Sequence, residues 1–328
     1  MRCLVTGATG FIGLRLAETL LEAGHKVRCL VRAGPKTRYL SGLPVELFFG
    51  DIRNRSAVTE AVSGVEWVFH NAALIYHNSP SRVYRTNLGG TLNLLRACSQ
   101  SPDLKRLVYS SSVTSMGPCR EAPAAENQPM APLSFDAYGR SKRASELACA
   151  RFSRDFGVPY TVIRLAGVYG PRSPLFLNGI RFIRHGFFPL PGSGNRYCSF
   201  SHVDDVCSAL ILAATRPEAC NQTYIIVDDR PVTIRQLVVR VAELLGIRVR
   251  LFSVPMWLVK AGVVGLEYAS RMTSMNLPVN RAIVEYLTRD HSYAAARAKK
   301  ELGWTPRYPD PLEGVESMVR WYENTLRT

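Results

Sequence analysis

Short apolar runs alternating with helical patterns fill the first half of the chain. The runs CLVTG (3–7), KVRCLV (26–31), VELFFG (45–50), WVFHNA (67–72), RLVYSS (106–111) and YTVIRL (160–165) read as strands buried on both faces. Between them, apolar residues recur at helical spacing, as in Leu14 to Ala23 and Gly90 to Cys98. This alternation predicts an α/β fold built on a doubly wound parallel sheet. The second half is less regular. Pro and Gly crowd residues 170–194, and helical patterns follow at Val203 to Ala214, Ile234 to Leu245 and Val254 to Met272, with a strand pattern TYIIV at 223–227. We expect the sheet to occupy residues 1–172 and a smaller, mostly helical substrate domain residues 173–328, with 200–227 packing back on the sheet.

Composition adds limits rather than identity. Of 328 residues, 47% are apolar and 20% charged, which is globular and excludes disorder and collagen-like repeats. The net charge is +15. It is spread over Arg28, Arg32, Lys36 and Arg38, then Arg140 to Arg154, then Arg297 to Lys300, with no basic run that interleaves aromatics. That distribution argues against a nucleic-acid partner and suits an anionic cofactor or substrate. The eight cysteines form no C-x-x-C pair, so no metal or redox motif is expected. Cys3 and Cys29 fall within strand patterns, where thiols act as small hydrophobes. Reduced cysteines, and a strand pattern starting at Arg2 that leaves no room for a signal peptide, point to the cytoplasm. The longest apolar stretch, Val254 to Ala269, is interrupted by Lys260 and Glu267 and falls short of the ~20 apolar residues a membrane span needs.

The chemistry starts at the first turn. VTGATGFIG places Gly7, Gly10 and Gly13 between a strand and a helix, with Thr9, Phe11 and Ile12 among them. Glycines there permit a tight turn, close backbone approach to a pyrophosphate and close helix–strand packing. The helix N-terminus offers N–H groups and a partial positive charge. We read a dinucleotide site. The second strand ends Leu30-Val31-Arg32, so Val31 holds the position where an NAD site usually carries an acid for the ribose hydroxyls. Arg32, with Lys36 and Arg38 behind it, suits a 2′-phosphate. NADP is therefore preferred, with NAD still possible.

Further along, Tyr138-x-x-x-Lys142 puts a phenol and an ammonium on one helix face. A free phenol, with a pKa of ~10, is a poor proton shuttle near neutrality. A neighbouring cation favours the phenolate and lowers that value. Upstream stands Ser110-Ser111-Ser112, at a strand end, with Gly117 beyond.

Together these motifs resemble the extended short-chain dehydrogenase/reductases, a Rossmann-fold family that includes nucleotide-sugar epimerases and dehydratases, 3β-hydroxysteroid dehydrogenases and dihydroflavonol-type reductases. The resemblance covers essentially the whole chain. It implies that Ser112, with Ser111 as the alternative, polarises the substrate carbonyl, that Tyr138 moves the proton, and that Lys142 holds the ribose. It also implies that Asp51, with Ile52, meets the adenine, with helix capping as the other reading of Asp51. Ala72 and Ala73 in HNAA would lie against the cofactor, while His70 reads as a buried structural histidine. Asn87 in YRTNLGGTLNLL would support the catalytic geometry or cap a helix. Arg164-Leu165-Ala-Gly-Val168-Tyr-Gly170-Pro171 matches the segment that abuts the nicotinamide, with Leu165 replacing the usual proline.

The branch is set further on. SFSHVDD (199–205) matches a family segment in which epimerases usually place an Arg four residues before the His. Here that position is Cys198, and Arg196 stands out of register. The stretches at 286–309 and 313–322 look most like 3β-hydroxysteroid dehydrogenase-like proteins and 3-oxoacid reductases. We therefore expect alcohol–ketone chemistry on a bulky apolar substrate. A nucleotide-sugar epimerase or dehydratase with retained NAD and a non-catalytic cofactor-sensing protein are the alternatives. Val254 to Met272 would line the pocket, pack as a core helix or touch a membrane surface. The family resemblance also implies a homodimer through a four-helix interface.

Overall fold

The structure is a computed structural model that describes residues 1–75, 77, 79–273, 281–287 and 289–326. In chain order its elements are β1 (Arg2–Thr6), α1 (Phe11–Glu22), β2 (Lys26–Val31), β3 (Glu46–Phe49), α2 (Arg55–Val62), β4 (Trp67–His70), α3 (Pro80–Cys98), β5 (Arg106–Ser112), α4 (Ala137–Phe156) and β6 (Tyr160–Leu165). There follow β7 (Gly167–Tyr169), α5 (Pro174–Arg184), β8 (Phe187–Pro191), β9 (Tyr197–Cys198), β10 (Phe200–His202), α6 (Val203–Thr215), β11 (Gln222–Ile226), β12 (Val232–Thr233) and α7 (Ile234–Leu244). The chain closes with β13 (Arg250–Val254), α8 (Met256–Thr273), α9 (Arg281–Leu287), α10 (Ala296–Leu302) and α11 (Pro311–Leu326).

Seven strands form one parallel sheet in the order β11-β6-β5-β4-β1-β2-β3. Its strands follow the apolar runs of the sequence, but β3, expected to be buried on both faces, is largely exposed because it forms the edge of the sheet. β4, β5 and β6 are buried at every position, as expected of strands covered on both faces. One face packs Leu16 and Leu20 of α1 and Leu210 of α6 together with Trp304. The other packs Leu94 and Leu95 of α3 and Cys149 and Phe152 of α4. A third cluster joins α5, α7 and α11 through Ile180, Val238 and Val319. The segment expected to return to the sheet does so through β11, which pairs in register with β6.

The strand order reverses between β1 and β4. The crevice at their carboxyl ends is the place where open α/β sheets bind ligands. α3 begins at Pro80, ten residues before the helical pattern legible in the sequence, and Ser79 caps it by accepting from the Arg82 N–H. Asn87 lies within α3, which excludes the helix-cap reading. Asp51 caps nothing either: Asn54 accepts from Ser56 and Ala57 at the start of α2.

Candidate active site

The glycine turn sits in that crevice. Gly7 has φ +73, and a Cβ there would lie 2.8 Å from the Ala72 nitrogen, so the turn presses against the end of β4. A Cβ on Gly13 would lie 2.3 Å from the Gly7 oxygen, so helix and turn touch backbone to backbone. Gly10 caps α1 without any side chain, which leaves the first-turn N–H groups for an anion. Thr9, Phe11 and Ile12 are half-buried around it, and Ala72 and Ala73 are half-buried at the facing strand end. A buried amide nitrogen of Asn71 also lacks a hydrogen-bond partner beside this turn. The cradle, the uncapped helix start and the orphan amide fit a dinucleotide.

Past β2, Arg32 and Lys36 are exposed and make no ion pair among the described residues. Arg32 lies near enough to Asp51 to help hold that carboxylate below its usual range, although Arg53 contributes most. Arg53 takes both Asp51 oxygens, at 2.9 and 2.8 Å. The Ile52 side chain is packed under α3, where a Cβ on Gly90 would meet it at 2.8 Å.

His70 is wholly buried. Its Nδ1 accepts from Thr6 Oγ1 at 2.8 Å, and its Nε2 meets Thr91 Oγ1 at 2.9 Å. Thr91 donates to the Asn87 carbonyl at 2.7 Å, and Thr6 accepts from the Ala72 N–H. This order of donors fixes a neutral ring with the proton on Nε2. Burial, with Lys142 nearby, pushes its pKa down to about 3. His70 is thus a structural crosslink.

The three serines have three different fates. Ser110 donates to Asn71 Oδ1 at 2.5 Å. Ser111 donates to Glu146, which also accepts from Ser115 at 2.7 Å and pairs with Arg164 at 2.8 Å. Only Ser112 accepts without donating. It takes the Thr114 N–H at 3.2 Å and the Thr114 hydroxyl at 3.0 Å, which leaves its own proton to give. A Cβ on Gly139 would lie 2.6 Å from the Thr114 carbonyl, so this turn abuts the first turn of α4 beside Tyr138. Leu165 is buried directly across from Ser112 in the β5–β6 register. Val168 is half-buried in β7, opposite Ser201.

Lys142 is buried beneath this turn and donates to the Ser110 carbonyl at 2.6 Å. Burial lowers its pKa from 10.5 to about 8, partly opposed by Glu146. Its Nζ lies 4.7 Å from the Tyr109 ring centre and 5.7 Å from that of Tyr138. Burial drives the Tyr109 phenol well above its ordinary value, so it stays neutral. Tyr138 is half-exposed at the mouth. Asn87 ties α3 to this helix. Its amide donates to Ser141 Oγ at 2.9 Å and to the Leu74 carbonyl at 3.1 Å, and its oxygen accepts the Leu74 N–H at 2.7 Å.

Sequence reasoning missed the buried Glu146–Arg164 pair. The signal was present: Glu146 follows Lys142 by one helical turn and so shares its face. It also missed Tyr286, whose hydroxyl donates to the Thr114 carbonyl at 3.3 Å. A cavity of about 460 Å³ opens beside the same loop, lined by Met116, Pro118, Cys119, Arg120, Ala131 and Arg289.

A profile described as the NAD dependent epimerase/dehydratase family matches residues 3–227. The chain belongs to that family. It is an enzyme of the extended short-chain dehydrogenase/reductase type, with dehydrogenase and reductase relatives that act on CH–OH groups. Among its relatives is a 3 beta-hydroxysteroid dehydrogenase/Delta 5→4-isomerase of Mycobacterium tuberculosis, 29% identical over 94% of this chain and 86% of that protein. Another is the 4-hydroxy-2-methyl-3-oxo-4-farnesyl-3,4-dihydroquinoline-1-oxide ketoreductase of Stigmatella aurantiaca, 26% identical over 94% and 92%. Among solved structures, UDP-glucose 4-epimerase of Thermotoga maritima superposes with a TM-score of 0.82 at 25% identity, covering 99% of this chain and 100% of that one. Family members of both kinds, reductase and epimerase, therefore share this framework.

Proposed function

We propose that this family member uses NADP(H) to interconvert a secondary alcohol and a ketone on a bulky, largely apolar substrate, such as a sterol-like, terpenoid, polyketide or 3-oxoacid molecule. The observation that carries the choice of substrate is that Cys198, whose backbone bridges to that of the buried His291, stands where epimerases usually place an Arg. Burial holds the Cys198 thiol up at about 11 and the His291 ring down at about 4, so both are neutral at pH 7. The nearby Arg196 is exposed and turned to Asp290 at 3.6 Å. No fixed cation from this strand is then offered to a sugar-nucleotide diphosphate. The steroid and farnesyl-quinoline relatives support the same choice. For the cofactor, Val31 followed by the unpaired Arg32 supports NADP over NAD.

A dinucleotide held by its pyrophosphate in the glycine cradle would supply or remove a hydride through its nicotinamide. In the reducing direction, Ser112 donates its free proton as a hydrogen bond to the carbonyl oxygen. Tyr138 gives its proton to that oxygen as the alcohol forms. Lys142, as an ammonium, favours the phenolate left behind and is placed to reach the ribose. Asn87 positions α4 through Ser141. In this reading the enzyme works as a cytoplasmic homodimer and binds no nucleic acid.

One observation favours the second reading, a nucleotide-sugar epimerase or dehydratase with retained NAD. Arg120 and Arg289 both line the cavity by the catalytic loop, where they would suit an anionic substrate. Incubation with NADPH and a panel of apolar ketones, beside UDP- and dTDP-sugars, tests the two. Net NADPH consumption with a ketone supports the reductase. Sugar-nucleotide conversion without cofactor consumption overturns it.

A further inference from the structure

The solvent side of α8 is polar-poor in a way a surface helix seldom is. Trp257 is 71% exposed, Leu258 48%, Val264 47% and Leu266 52%. At 100° per residue, Trp257, Ala261, Val264 and Gly265 share one exposed stripe, with Leu258 and Gly262 beside it. Among the described side chains, the charges of this helix, Lys260 and Glu267, border that stripe and are engaged by α9. Lys260 pairs with Glu285 at 3.2 Å, and Glu267 pairs with Arg281 at 2.8 Å. The two paired charges thus lie along the edge toward α9, while large apolar side chains face outward.

β13 leads directly into α8 and pairs with β8. Phe252 and Phe187 on these strands are exposed, with ring centres 6.5 Å apart. Arginines stand next to these aromatics along the chain. Arg248 and Arg250 precede Phe252, Arg181 precedes the exposed Phe182, and none of the three pairs with a carboxylate among the described residues. Among the described residues no helix is long and apolar enough to cross a bilayer.

We infer that this face docks the enzyme on an anionic lipid surface, with Trp257 at the headgroup level and the three arginines over lipid phosphates. An exposed tryptophan above an uncharged helical stripe and unpaired arginines at its edge are the chemistry of an interfacial anchor. The same helix pair reaches the site, since Tyr286 of α9 bonds the Thr114 carbonyl two residues past Ser112. A substrate dissolved in lipid would reach that mouth without crossing water. The anchor itself does not depend on the reductase reading, because its test needs no turnover.

The test is co-sedimentation of the full chain with phosphatidylcholine vesicles, with and without phosphatidylglycerol, alongside tryptophan emission. Binding should be about 10–100-fold tighter with phosphatidylglycerol, as expected for three arginines at an anionic surface, and should weaken with salt. Emission should shift to the blue. Trp67 and Trp304 are already buried and Trp321 is half-buried in α11, so Trp257→Tyr should keep binding and lose most of the shift. Trp257→Glu with Val264→Glu should abolish binding while NADPH affinity and the circular dichroism spectrum stay unchanged. Absence of vesicle binding would overturn the inference, as would equal binding to neutral vesicles or binding that survives the double variant. An oligomer that the double variant dissociates, with no vesicle binding, would assign the face to a second copy of the chain instead.

Discussion

Lys142 donates its ammonium to the Ser110 carbonyl oxygen over 2.6 Å, fastening α4 to the end of β5. That bond holds a buried charge between the Tyr109 and Tyr138 rings. Lys142→Met should lower turnover by about 10²–10⁴-fold, the usual range for a lost acid–base contribution. Stability should hold or rise, because a desolvated charge is removed. Steady-state kinetics and urea unfolding measure the two effects.

The same lysine predicts a pH limb. Below about 8, Lys142 is the ammonium; above it, the charge is lost. The kcat/KM for ketone reduction should therefore be flat on the acid side of this value and fall as pH rises through it. A profile still rising at pH values well above that point would contradict the assignment.

Ser112 and Ser111 are neighbours with different jobs. Ser112→Ala removes the proton left free by Thr114 and should lower kcat/KM by about 10²–10³-fold, as for other donors to a developing oxyanion. Its melting temperature should barely move. Ser111→Ala removes a donor from the buried Glu146 and should cost about 1–3 kcal/mol of stability while retaining most activity. The reversed pattern would make Ser111 the polarising hydroxyl.

Glu146 and Arg164 are both nearly inaccessible, with side-chain exposures of 5% and 6%. Arg164→Leu strands a buried carboxylate and should cost about 3–5 kcal/mol. Adding Glu146→Leu should recover much of that loss, since burying two charges is itself expensive. Urea midpoints of the two single variants and the double variant give the coupling directly.

Three buried histidines set the acid limit. Burial lowers His70 to about 3, and His202 and His291 to about 4, from 6.5. Their contribution is present above the unfolded pKa and is lost as pH falls through the window down to the folded values. Linkage gives about 2 kcal/mol lost per ring by about pH 5. His70→Gln should flatten the slope of stability against pH over that window, as followed by urea unfolding at several pH values.

Much of this architecture was legible in the chain. Strands β2 and β6 match their runs residue for residue, because most of their positions are apolar and buried. The glycine turn was legible because only glycine survives where backbones meet, as at Gly7 and Gly13. Ser112, Tyr138 and Lys142 are proposed from spacing along a strand end and one helical turn. What stayed hidden depends on three-dimensional neighbours. The start of α3 is set by Ser79 and Pro80, not by apolar periodicity. The Asn87 bridge to Ser141 joins residues far apart in sequence, and its partner is on another helix. In sequence alone, the apolar stretch of α8 reads equally as a pocket lining, a core helix or a membrane-facing surface. The salt bridges of Lys260 and Glu267 to α9 show which side is which.

The central claim is a nicotinamide-dependent reductase whose crevice between β1 and β4 prefers NADP. The most direct measurement is cofactor content after denaturation of the purified protein, followed by titration with NADPH and NADH. The account predicts an exchangeable site that binds NADPH about tenfold or more tighter than NADH, a difference that Arg32→Glu removes. Tightly retained NAD that survives purification, with no preference for NADPH on titration, would contradict it.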